Sequence, residues 1–190
     1  MTEALPTKES LTERLHDRND PFNIFPMPTP DLIGHGSIDL RIGTVFLSAE
    51  RSSLPFVNAE SPWEASTLFR QVQLRKDGAF TMHPRQFVLA CTFEYLALSS
   101  DLSGIIQSRS TWGRMGIIAA TAAFIGPGYK GCPTLELVNV GEVAVVLKPY
   151  QPICQIVLLT ANEKSIAPSR YQCETRPTFA RRPRGAATTQ

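Results

Sequence analysis

Period-two alternation dominates the chain from residue 37 onward. In "SIDLRIGTVFL" the side chains of Ile38, Leu40 and Ile42 alternate with Asp39, Arg41 and Gly43, the pattern of a half-buried strand. Short β-branched or aliphatic runs follow: "FTMHPRQFVLACTFEYLAL", "GIIQSRS", "GIIAATAAFIG", "TLELVNVG", "VAVVLKP" and "ICQIVLLT", separated by Gly, Pro, Asn or Ser. Short strands at this spacing predict an all-β sandwich, barrel or jelly roll. Helical spacing comes earlier. Ser10-Leu11-Thr12-Glu13 has the spacing of a capping box and Leu11 and Leu15 share a face, which predicts a short helix ending near Asp20-Pro21. The stretch "FPMPTPDLIGHG" is too rich in proline and glycine for regular structure.

One turn is specified in detail. In "TAAFIGPGYKG", Pro127 fixes φ at the first inner position and Gly128 suits the positive-φ position of a type II turn. Gly126 has no evident role in that turn. The end of the chain, from Tyr171, is polar with prolines and arginines and reads, taken alone, as a mobile tail.

The length of 190 residues fits one domain with tails, and an apolar fraction of 43% is ordinary for a chain with a real core. A net charge of +2 does not indicate a nucleic-acid binder. The four cysteines form no C-x-x-C pair and Cys91 and Cys154 sit in apolar runs, so reduced core thiols are expected rather than disulfides. No apolar run approaches the ~18 residues of a membrane span, and "MTEALPTKES" lacks the pattern of a secretory signal. A cytoplasmic protein with no membrane association is expected.

Three places carry candidate chemistry. "SRSTWGRMG" sets Arg109, Ser110, Thr111 and Arg114 within six residues; two guanidiniums, two hydroxyls and turn amides suit a polyphosphate, and equally well a solvated loop. Glu136 alternates with Leu135 and Leu137, so it faces either solvent or a pocket, where burial would raise its pKa and equip it to shuttle protons. Asp39 and Arg41 share a strand face and are placed to pair. The three histidines are scattered, and the zinc-deaminase signature H-x-E with P-C-x-x-C is missing.

Six segments, in order, resemble the motifs of the dCTP deaminases, zinc-free relatives of the trimeric dUTP diphosphatases. They are "GSIDLRIG", "MHPRQFVLACTFEYLAL", "SRSTWGRMGI", "TAAFIGPGYKGCPTLELVNV", "PYQPICQIVLL" and "SRYQCETRPT". The resemblance implies a mainly β fold, a distorted jelly roll or β-barrel of the trimeric dUTPase type with a short N-terminal helix. It implies one domain over residues 1–169 and a tail over 170–190 that closes over the nucleotide. Glu136, Ser110 and Arg114 would be catalytic. Arg109, Thr111, Ala122, Thr134, Leu135, Gln155, Arg170, Tyr171 and Glu174 would bind substrate, with the Ala122 carbonyl helping to hold the water. Magnesium would arrive with the triphosphate, no zinc would be used, and sites would lie between subunits of a homotrimer.

The chain departs from the family pattern in several places. Gly126 stands where the family has an aspartate that bonds the sugar 3′-hydroxyl, Glu174 where it has a base-reading glutamine, and Arg170 where it has a lysine. The stretch "ANEKSIAPS" lacks an expected stacking tyrosine. Three readings follow: hydrolytic deamination of dCTP to dUTP and ammonia; a dUTP diphosphatase or bifunctional deaminase/diphosphatase; and a nucleotide-binding regulatory protein or deaminase of another cytosine nucleotide. Arg114 favours the deaminase branch, because the diphosphatases commonly lack an arginine four residues after the serine.

Overall fold

The computed structural model describes residues 5–52, 57–58, 66–119, 122–161 and 169–181. Residues 120–121 of the predicted strand run, most of "ANEKSIAPS", and 182–190 of the tail lie outside the described residues.

The strands are β1 (Asn23–Phe25), β2 (Ser37–Arg41), β3 (Val45–Ala49), β4 (Phe69–Gln73), β5 (Phe80–Met82), β6 (Phe87–Cys91), β7 (Tyr95–Ala97), β8 (Leu102–Ser108), β9 (Ile117–Ala119), β10 (Phe124–Ile125), β11 (Lys130–Gly131), β12 (Thr134–Asn139), β13 (Val145–Leu147) and β14 (Pro152–Thr160). Helices α1 (Lys8–His16) and α2 (Ser110–Arg114) complete the described elements. The sheet orders are β1-β7-β11, β10-β8-β14-β2, β4-β3-β6-β12-β9 and β13-β5. All named pairings are antiparallel. The sheets do not close into a barrel; their inner faces share one core, as in a distorted jelly roll.

The alternation in β2 holds: Ile38 and Leu40 are wholly buried while Ser37, Asp39 and Arg41 are half-buried. The long run that begins there breaks into two strands because its partner changes. β2 pairs with β14, whereas β3 pairs with β4 and β6. The switch falls where the Gly43 N–H donates to the Cys91 carbonyl at 2.9 Å. Phe46 and Phe80 stack at 4.7 Å in the core below. Near-complete burial of such side chains is worth about 1.5–3 kcal/mol each.

α1 is present but shifted from its expected frame. Thr7 is the N-cap, its side chain accepting from the Ser10 N–H; Ser10 is therefore inside the helix, not at its cap. The helix ends at His16, where the Asp17 N–H closes on the Glu13 and Arg14 carbonyls. Leu11 and Leu15 are buried as expected. Arg14 then ties the helix to Asp20 at 2.7 Å and to Asp101, before β8, at 2.9 Å.

The expected Asp39–Arg41 pair does not form. Neighbouring segments offer each side chain another partner: Arg41 Nε lies 2.5 Å from the wholly buried Glu94, and Asp39 lies 3.2 Å from Arg109. All four cysteines are free, Cys173 being the exposed one. Among the described residues no helix is long and apolar enough to cross a membrane.

Candidate active site

The Gly-Pro-Gly turn forms as its residues dictate. The Tyr129 N–H reaches the Gly126 carbonyl at 3.3 Å and Gly128 takes φ 71°, the geometry of a type II turn with Pro127 at the first inner position. Gly126 itself is not in the left-handed region, and a Cβ added there would meet, among the described residues, only a Phe124 ring carbon, at 3.7 Å. Its lack of a side chain is not imposed by the backbone. It opens one wall of a cleft.

That cleft, of about 460 Å³, lies over the outer face of the β4-β3-β6-β12 layer. Alternation in β12 sends Leu135 and Leu137 into the core and leaves Thr134, Glu136 and Val138 on the outer face. Phe87 and Leu89 of β6 share this face, and with Phe69, Phe124 and Phe179 they give the cleft an apolar floor and rim. Glu136 stands on this surface with no hydrogen-bond or ion-pair partner among the described residues, and burial raises its pKa above the usual carboxylate value. Cys132 is on the cleft wall, where burial pushes its thiol up to about 11. It stays protonated and poorly nucleophilic at neutral pH.

The segment 169–181 returns across the cleft. Tyr171 and Glu174 line it, the Cys132 N–H donates to the Glu174 carbonyl at 2.7 Å, and the Thr178 N–H donates to Thr134 Oγ1 at 3.1 Å. Gly131 makes this approach sterically feasible. It takes φ 145°, and a Cβ there would stand 3.1 Å from the Glu174 carbonyl oxygen and 3.0 Å from the Tyr129 hydroxyl.

The sequence-predicted residues thus fall into two groups. Ala122, Thr134, Glu136, Tyr171 and Glu174 meet at the cleft. Leu135 neighbours them but is wholly buried on the core side, so only its backbone is left for a ligand. Arg170 lies on the returning segment and donates from Nη1 to the Arg181 carbonyl at 3.3 Å.

The second group gathers around β8, β14 and α2, and none of it lines the cleft. Trp112 is buried and its Nε1 donates to the Pro152 carbonyl at 2.7 Å. This fixes α2 on the sheet and leaves Ser110, Thr111 and Arg114 exposed. Arg109 precedes them, held by Asp39; Gln155 on β14 stands opposite both Asp39 and Gln107. Burial outweighs Arg109 and keeps the Asp39 carboxyl above its ordinary pKa.

The phenylalanines of the cleft and Arg181 were not among the predicted site residues. The alternation of Gln71 and Gln73 with Val72 and Leu74 marks β4, and hence Phe69. Nothing local marks Phe179 or Arg181, whose roles come from the return of the chain.

Comparison with known proteins places the chain in a family. A family model described as dCTP deaminase-like matches residues 7–161. A "dCTP deaminase, dUMP-forming" of Methanothermobacter thermautotrophicus is 36% identical over 167 residues, covering 83% of this chain and 84% of the relative. A "dCTP deaminase" of Haloarcula marismortui is 34% identical over 160 residues, covering 80% and 82%. The crystal structure of a 2′-deoxycytidine 5′-triphosphate deaminase from Agrobacterium tumefaciens superposes with a TM-score of 0.66 at 18% identity, covering 85% of this chain and 49% of that one. At that identity the superposition speaks for the fold.

Proposed function

The chain belongs to the dCTP deaminase-like family, and from that premise we propose that it hydrolyses the C4 amino group of dCTP, giving dUTP and ammonia. The observation that carries this reading is Glu136, a partly buried carboxylate with no partner among the described residues, on the floor of a cleft large enough for a nucleoside. Its raised pKa brings a proton shuttle nearer neutral pH.

In this mechanism a water attacks C4 of the cytosine. Glu136 takes the water's proton and delivers it to N3, giving a tetrahedral intermediate at C4. A second transfer through Glu136 moves the remaining hydroxyl proton to the amine. The C4–N bond breaks, ammonia leaves, and C4 becomes the uracil carbonyl. The Ala122 carbonyl would help hold the water. Ser110 and Arg114 would polarise the groups around C4, with Arg109, Thr111, Gln155 and Arg170 on the phosphates. Magnesium would enter as part of the Mg–triphosphate substrate, neutralising phosphate charge.

Separation of the two groups of residues favours a homotrimer, in which the α2 group of one subunit completes the cleft of the next. The test is ammonia release from dCTP with magnesium, and its loss in Glu136→Gln. A cytosine-nucleotide panel that binds without ammonia release would count for the regulatory reading instead.

A second reading has an observation of its own. The Methanothermobacter thermautotrophicus relative is named dUMP-forming, and a bifunctional enzyme would release pyrophosphate along with ammonia. Gly126, where the resemblance expects an aspartate that supports water attack in the diphosphatases, weighs against it. Equal yields of pyrophosphate and ammonia would decide for the bifunctional enzyme, and ammonia with dUTP for the deaminase.

A further inference from the structure

A single arginine closes the returning segment on itself at the cleft. Arg181 pairs with the Glu174 carboxylate, donates from Nη1 to the Arg170 carbonyl at 2.5 Å, and lies 5.3 Å over the Tyr171 ring. The Arg181 backbone N–H reaches the Tyr171 hydroxyl at 3.3 Å. Glu174 is fixed in turn to the sheet through the Cys132 N–H. Tyr171 and Glu174 line the cleft, yet among the described residues no lysine or arginine does. The cleft therefore presents two carboxylates, Glu136 and Glu174, and the returning segment carries Arg170, Arg176 and Arg181.

Within one subunit this charge arrangement is unfavourable for a polyphosphate unless the Glu174–Arg181 pair opens. A guanidinium grips carboxylate and phosphate oxygens with the same planar fork of N–H donors. A carboxylate left beside phosphates adds like-charge repulsion, which costs affinity. The pair is also placed for exchange: the Arg181 and Glu174 side chains are 45% and 28% exposed, so breaking it strands neither charge in a dry interior.

We propose that Glu174 and Arg181 form an exchangeable latch. Glu174 occupies the Arg181 guanidinium in the free chain, and a nucleotide phosphate takes its place on binding. Arg181 is thus a phosphate-binding residue, and Glu174 sets how readily a polyphosphate is admitted. The exchange rests on reading the cleft as a nucleotide site. Arg181 does not itself line the cleft, so the exchange engages phosphates beyond the first and discriminates triphosphates from monophosphates.

The test is calorimetric titration of the full chain with magnesium and dCTP, dCMP or inorganic tripolyphosphate, in a Glu136→Gln background that prevents turnover. Arg181→Ala should weaken dCTP and tripolyphosphate about tenfold, the worth of one charge-assisted contact, with dCMP unchanged. Glu174→Gln should tighten dCTP and tripolyphosphate several-fold, and should have no such effect once Arg181 is alanine. Unchanged triphosphate affinity in Arg181→Ala overturns the latch. So does an equal loss for dCMP, which would mean that the segment merely came loose, or a weakening of triphosphate binding by Glu174→Gln. The two readings fail separately. Tripolyphosphate binding that needs Arg181, in a wild-type chain that releases no ammonia, would keep the latch and remove the deaminase; ammonia release with KM unmoved by Arg181→Ala would do the reverse.

Discussion

Glu136 of β12 stands directly opposite Leu89 of β6, so a cleft carboxylate with no partner among the described residues faces an apolar neighbour across the sheet. Such a neighbour screens it from water and offers no compensating bond, which is why its pKa rises. A base needs the ionised form. kcat/KM should therefore climb with pH through the raised pKa, and Glu136→Gln should lose about 10²–10⁴-fold above it, with the gap narrowing below. Stability should move the other way. A carboxyl whose pKa is higher folded than unfolded favours the fold fully only below its unfolded pKa, and that contribution is lost as pH rises through the folded pKa. Glu136→Gln should accordingly melt higher than wild type at neutral pH, with the gain vanishing below about pH 4. Melting curves at the two pH values check the sign.

Gly126→Asp should fold. The backbone there is outside the left-handed region and an added Cβ meets a single ring carbon at ordinary contact distance, so stability should stay within about 0.5 kcal/mol of wild type. If the position lacks only a contact to the sugar, the variant should gain preference for dCTP over its 2′,3′-dideoxy analogue by about tenfold, as expected for a hydrogen bond to a charged group. A collapsed melting temperature would mean that glycine is needed there after all.

Gly131→Ala is the contrasting case. It forces an alanine to φ 145° and drives a methyl against the Glu174 backbone and the Tyr129 hydroxyl. Strain of this kind costs about 1–3 kcal/mol. The loss should fall on the returning segment, so limited proteolysis should cut near residues 169–181 earlier than in wild type. Unchanged cleavage would separate Gly131 from the placement of that segment.

Arg41→Ala should destabilise far more than an ordinary surface change. It strands the wholly buried Glu94, whose carboxylate takes both the Arg41 Nε at 2.5 Å and the Arg41 backbone N–H at 2.8 Å. Removing one partner of a buried pair costs about 3–5 kcal/mol. Denaturant titration would read the loss, and Arg41→Met/Glu94→Leu should recover part of it.

Period two in the sequence states which side chains share a face, and Leu135, Leu137, Ile38 and Leu40 obey it. It does not state which strands meet, and that is where legibility ended. The 37–47 run looked like one strand because its alternation continues through the change of partner. β4 carries the same alternation in Gln71 to Leu74, but polar stretches on either side mask it in the sequence. The capping box at Ser10 lost to Thr7, since either hydroxyl has the right spacing to an N–H and only packing selects between them. At the site, alternation singles out Glu136 and the family resemblance Tyr171 and Glu174, and all three line the cleft. That Arg181 closes on Glu174 follows from a chain reversal, which no local pattern encodes.

The two groups of site residues lead to the last prediction. Glu136 lines the cleft, while Ser110 and Arg114 project from α2, held outward by Trp112. If each active site takes Glu136 from one subunit and Ser110 and Arg114 from the next, Glu136→Gln and Arg114→Ala each inactivate every site in a pure trimer. Unfolding and refolding the two variants together in equal amounts distributes them at random. A site is then intact when its cleft comes from the Arg114→Ala subunit and its α2 group from the Glu136→Gln subunit. Each condition holds half the time, so about a quarter of the sites should recover. Ammonia release from dCTP near that fraction requires sites shared between subunits. Activity no higher than in the separate variants would place all these residues in one subunit's site, or outside the chemistry, and sedimentation of the mixture would confirm that mixed oligomers had formed.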